Sequence, residues 1–101
     1  MARVVRIVSL WVRPDQEAAF EAFECEAARN MARHGGRIDQ AVRLDPTKGD
    51  ATPYEVHIVS FPDEAAAESY ASDPATLALR ERRGSIISRT EVVTGREAGP
   101  Y

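Results

Sequence analysis

Two runs of this chain are apolar on both faces of the strand each would form: Arg3-Val-Val-Arg-Ile-Val-Ser-Leu-Trp-Val12 and Tyr54-Glu-Val-His-Ile-Val-Ser-Phe61. A sheet covered by helices on one side normally leaves its other side wet, with apolar and polar residues in clean alternation. Strands that are apolar on both faces need two covers. The rest of the chain supplies one. The elements read strand, helix, strand, strand, helix, strand within 101 residues, which is room for one domain and a single layer of helices. The second cover is then a partner subunit, and the expected partner is a second copy of the chain.

The remaining elements follow from local chemistry. Strand one covers about Arg3 to Val12 and stops at Arg13-Pro14, because proline cannot continue a central ladder. Pro14-Asp15-Gln16-Glu17 opens a helix, with acids near its positive end. Phe20, Phe23, Ala27 and Met31 recur at helical spacing as one apolar stripe, and Gly35-Gly36 ends it. Strand two runs from about Arg37 to Leu44, and a polar connection over residues 45–50 leads to strand three. After Phe61-Pro62, Asp63 caps a short helix carrying Ala65, Ala66, Ala67 and Tyr70, and Asp73-Pro74 breaks it. A further helical segment spans Pro74 to about Arg83, Gly84 ends it, and Ser85 to Thr94 reads as the fourth strand. The expectation is a single domain over residues 1–95 with a tail over residues 96–101.

Charge and cysteine usage exclude several classes of function. The formal net charge is −3 and no extended basic run exists, so nucleic acid is a poor partner. The local cluster of Arg80, Arg82 and Arg83 sits late in a predicted helix, where cations complement the dipole. The single Cys25 excludes an internal disulfide and suits a reducing compartment; it is read as an inert helical residue. No run approaches membrane-spanning length, and the apolar N-terminal stretch, interrupted by Arg6, reads as a strand rather than a signal peptide. The expected location is the cytoplasm.

The junctions carry a resemblance. Phe20-Glu-Ala-Phe23-Glu24, His34-Gly-Gly-Arg37, Ser60-Phe-Pro-Asp-Glu-Ala-Ala66 to Tyr70, Ser72-Asp-Pro74 and Arg82 together resemble the dimeric α/β-barrel superfamily. The likeness is greatest to a small uncharacterised family related to antibiotic-biosynthesis-type monooxygenases. The resemblance implies an α+β fold: a ferredoxin-like βαββαβ protomer with a four-stranded antiparallel sheet of order 4-1-3-2. Two such sheets would pack face to face as a dimeric α/β barrel, with a pocket between sheet and helices or at the dimer mouth. That agrees with the two covers the strands demand.

Candidate site residues cluster on the third strand. His57 lies mid-strand with Glu55 two positions earlier on the same face. Tyr54, Val56 and Ile58 take the other face, read as the one against the helices, which leaves His57 on the face toward the partner. A mid-strand imidazole beside a carboxylate serves as a general base or a ligand-orienting donor; the alternative is a satisfied interface histidine bonded to Glu55 or to the partner chain. Arg6 interrupts an apolar strand and would meet Glu55 or His57 if the register brings them together, as an ion pair or a substrate clamp. Glu24 lies by the apolar stripe, either as a buried acid facing substrate or paired with an arginine such as Arg82. Trp11 and Tyr70 are read as core or pocket wall. His34 is read as a C-terminal helix residue.

Two histidines and one cysteine offer no close-spaced ligand set, so no metal is expected and no cofactor is implied. By the resemblance alone, haem would need His57 or His34 as its ligand in a pocket walled by Trp11 and phenylalanines. Three functional readings stand. One is a homodimeric protein with a pocket for a small organic molecule. The second, implied by the resemblance, is a cofactor-independent monooxygenase, isomerase or cyclase acting on an aromatic or polyketide-like compound, with His57 as base and Arg6 or Glu55 orienting. The third is a structural interaction module. An enzyme requires a closed pocket of about a few hundred Å³ with His57 exposed to it; a module packs His57 dry.

Overall fold

The computed structural model describes residues 3–46 and 51–101. Its elements are β1 (Val4–Val12), α1 (Glu17–Ala32), β2 (Arg37–Arg43), β3 (Glu55–Phe61), α2 (Glu64–Ser72), α3 (Pro74–Arg83) and β4 (Ile87–Gly95). Of the polar connection expected before strand three, Thr47-Lys48-Gly49-Asp50 lies outside the described residues. The four strands form one antiparallel sheet in the order β2-β3-β1-β4, the ferredoxin-like arrangement, with the second crossover divided into two helices. The molecule is 16 Å across its thinnest axis, as one sheet under one helical layer requires.

Local chemistry sets the element ends. Helix α1 begins at Glu17 rather than at Pro14, because Asp15 stands at φ 64 and closes a turn in which the Gln16 N–H bonds the Arg13 carbonyl at 3.1 Å. A left-handed residue cannot extend a right-handed helix, and Asp tolerates that conformation in turns. Asp63 caps α2 by accepting the Ala66 N–H at 2.8 Å, and Asp73 caps α3 by accepting the Ala75 N–H at 2.8 Å. Gly36 brings its backbone against the Phe61 ring and the Met31 side chain, so closely that a Cβ there would overlap both. Between α1 and α3, buried Asn30 donates to Thr76 Oγ1 at 2.5 Å.

The two faces of β3 are the reverse of the sequence expectation. Glu55, His57, Val59 and Phe61 are the buried set under the helices, Ser60 is buried on the other face, and Ile58 is 36% exposed. In β1 the helix-facing set is Val4, Arg6, Val8 and Leu10, with Val8 opposite His57 and Leu10 opposite Glu55. Val8 and Val59 therefore pack under the helices. The open face carries Val5, Ile7, Val56, Ile58, Val42, Val93 and Trp11, with Ile7 43% and Val93 63% exposed. Alternation divides a strand into two sets without saying which faces the helices. The polar pair Glu55 and His57 suggested the outer set, but both lie inside, bonded to each other.

The core has two lobes. One gathers Leu10, Phe20, Phe23, Ala27, Leu79, Ile86 and Ile87. The other gathers Met31, Val59, Phe61 and Ala67. Val8 packs against both lobes.

Candidate functional site

A cavity of about 370 Å³ lies between the sheet and the helices, with members of both lobes in its wall. Its apolar lining includes Val8, Phe23, Met31, Val59 and Phe61, and its polar lining includes Glu24, His57 and Tyr70. On the side formed by α3 and β4, Arg80, Arg83, Thr90 and Val92 complete it. Exposed Arg80 and Val92 place the mouth on that side, and His57, 3% exposed, belongs to the inner wall.

Behind His57 in the wall runs a chain of charges that begins at the protein surface. Arg43 of β2 stands opposite Glu55 of β3. It donates through Nε at 3.1 Å and through a terminal nitrogen at 2.7 Å to Glu55 Oε1. The other oxygen, Oε2, lies 2.5 Å from His57 Nε2. Burial pushes the Glu55 carboxyl up, but the hydrogen bonds from His57 and Arg43 outweigh it and hold the group below the usual glutamate range. An ionised carboxylate only accepts, so His57 Nε2 carries the proton and, in the neutral ring, Nδ1 has a free lone pair. Nδ1 faces Glu24 Oε2 across 3.9 Å.

Glu24 reaches that position because it follows Phe20 by one helical turn and shares the buried face of α1. It makes no hydrogen bond among the described residues, and its ion-pair contact is the one with His57. Burial pushes it above the ordinary glutamate range, and the opposing pull of His57 and Arg83 does not cancel that push. One imidazole thus stands between two carboxyl groups driven in opposite directions by their surroundings. Such a division assigns acid and base roles within one site. Tyr70 is also raised, by burial and by the Glu24 charge.

The other sequence candidates are distributed around this centre. Arg6 lines the cavity but stands opposite Val59, one pair away from the Val8–His57 pairing on its face; its ion-pair partner is Glu64 of α2 at 3.8 Å. Trp11 is absent from the cavity wall. It lies on the open sheet face under the Arg89 guanidinium, 4.6 Å from the ring centre. Its indole N–H is buried without a partner among the described residues. Arg82 pairs with Glu26 at 2.9 Å rather than with Glu24. His34 bonds Ser69 through Nδ1 at 3.0 Å and Asp73 through Nε2 at 2.7 Å, joining α1 to the α2–α3 corner. Both ring nitrogens of His34 are thus engaged, whereas His57 is held through Nε2 and has only Glu24 facing Nδ1. Sequence reasoning missed Arg43, because its value depends on strand register. It read Arg80 and Arg83 only as helix-end cations.

The fold and the cavity define a class, α+β proteins with a ferredoxin-like arrangement of one four-stranded antiparallel sheet under helices. Within that class the chain is similar to a protein of unknown function from Rhodopseudomonas palustris, with a TM-score of 0.82 and 15% identity over 98% of this chain and 85% of that one. It is similar to a dabb family protein with a ferredoxin-like fold from Mesorhizobium loti, with a TM-score of 0.72 and 17% identity over 98% and 100%. It is also similar to SnoaB, a cofactor-independent oxygenase from Streptomyces nogalater, with a TM-score of 0.70 and 20% identity over the whole of both chains. Neither a family model nor a curated protein sequence matches the chain. At these identities the likeness establishes the fold.

Proposed function

We propose that the protein binds a small organic molecule in the cavity and that His57 removes a proton from it. The observation that carries this reading is one imidazole in the wall of a cavity of about 370 Å³, with Glu24, raised, beside it in the same wall and Glu55, lowered, behind it on Nε2. His57 Nδ1 takes a proton from a carbon next to a carbonyl, or from a phenol. The resulting imidazolium is stabilised by Glu55, itself held by Arg43. Glu24 in its protonated form donates to the developing enolate oxygen or returns a proton elsewhere on the ligand. An enolate formed in this way is reprotonated in an isomerase, attacks a second carbonyl in a cyclase, and transfers an electron to dioxygen in a cofactor-independent oxygenase. The name of SnoaB fits the last of these, and the first step is common to all three.

The reading includes a homodimer, in which a second copy covers the apolar open face around Ile7, Ile58 and Val93.

The test is proton exchange. Aromatic ketones, lactones and phenolic ketones are incubated with the protein in D₂O, and deuterium incorporation is followed by NMR. Exchange above background is expected with wild type, falling by about 10²–10⁴-fold in His57→Ala. Equal exchange in both proteins contradicts the reading.

A further inference from the structure

The mouth of the cavity holds more positive charge than proton abstraction requires. Arg80 and Arg83 stand three residues apart on α3, so they share one face of it, and both line the cavity. Arg82, between them, turns away to Glu26 at 2.9 Å. Arg80 makes no hydrogen bond or ion pair among the described residues. Arg83 donates to the neutral Thr90 Oγ1 at 2.7 Å, which fixes the guanidinium beside β4 without a carboxylate partner. Six other arginines, Arg6, Arg33, Arg37, Arg43, Arg82 and Arg89, have carboxylate partners. Arg3 and Arg13 bond neutral oxygens elsewhere, and what distinguishes Arg80 and Arg83 is that they stand together in the wall of one cavity. In a chain with 16 acidic residues and a net charge of −3, two guanidiniums at one cavity mouth with no carboxylate in ion-pair contact, Glu24 being the cavity carboxyl that feels Arg83 from further off, create a local positive potential there.

We propose that these two residues recognise a carboxylate, and that the ligand is an aromatic carboxylic acid. The inference rests on the proposed function, because it takes the same cavity as the binding site. Planar guanidinium forks match the geometry of a carboxylate. The apolar remainder of the cavity, with Phe23, Phe61 and Tyr70 in its wall, takes an aromatic body. The acid is anchored between α3 and β4, and the ring system extends inward, bringing its reactive C–H or O–H toward His57. A single negative charge suits the site, since Glu24 lies in the same cavity and a second charge would be repelled by its ionised form.

Calorimetric titration with naphthoate and with the neutral, similarly shaped naphthamide tests this on wild type, Arg80→Gln and Arg80→Gln/Arg83→Gln. Arg80 is exposed and unpaired, so its replacement leaves the fold intact. Wild type is expected to prefer naphthoate by roughly tenfold or more. Arg80→Gln should lose most of that preference, the double variant all of it, and naphthamide affinity should stay unchanged. Equal affinity for the two compounds in wild type, or a preference that survives the double substitution, overturns carboxylate recognition and leaves the cavity reading standing. Binding of neither compound to wild type overturns both.

Discussion

Each ring nitrogen of His57 meets a different carboxyl group, and the two groups make opposite contributions to stability. Glu55 is held below the value near 4.5 at which glutamate titrates in an unfolded chain. It therefore adds stability above that pH, and the contribution is lost as pH falls through its folded value. Glu24 is raised above the same 4.5. The folded state then binds its proton more tightly than the unfolded state, so stability declines as pH rises from that value through the folded one. At pH 7, Glu24→Gln should raise the melting temperature and Glu55→Gln should lower it, and both differences should shrink on acidification below about pH 4. Thermal unfolding of the two variants across pH checks this, and shifts of the same sign would show that the two carboxyl groups are not in opposed environments. Glu24→Gln should at the same time slow proton exchange, a gain in stability at the cost of activity that marks a functional group rather than a structural one.

Among the elements, what could be read from sequence is what local chemistry decides. Asp63 is a cap in sequence and in structure, because a cap needs only its own next turn. Asp63→Ala should cost about 1 kcal/mol in chemical denaturation. The stripe Phe20, Phe23, Ala27 and Met31 is buried as its spacing requires. That spacing also singled out Glu24. Gly36 was legible as a helix stop, but its packing against Phe61 was not, since that contact joins the start of β2 to the end of β3. Gly36→Ala should cost about 1–3 kcal/mol through overlap with Phe61 and Met31, and an unchanged denaturation midpoint would show that the Phe61 ring yields freely. Register and facing were illegible for the same reason. Nothing within β3 says that Arg43 stands opposite Glu55, or that the polar members of the strand face inward. Only the cavity beside them, built from three helices and the sheet, makes an inward imidazole compatible with a packed interior.

The whole molecule is a sheet with one cover, and the expected second cover is another copy of itself. The corrected facing makes the prediction specific. Ile7→Glu or Ile58→Glu should leave the far-ultraviolet spectrum unchanged but shift sedimentation from dimer to monomer at micromolar concentration. Val59→Glu, which buries a charge under the helices, should destabilise the fold itself by about 3 kcal/mol or more. Full dimer in both surface variants would place the interface elsewhere.

The molecule positions one imidazole with Nε2 on Glu55 and Nδ1 facing a cavity. The most direct measurement of that arrangement is a nitrogen-15 NMR spectrum of the histidine side chains, with the His57 signals assigned by their absence in His57→Ala. For the neutral ring, the expected spectrum has a protonated Nε2 and a bare Nδ1. A proton on Nδ1 instead would remove the base from the cavity and contradict the proposed chemistry at its first step.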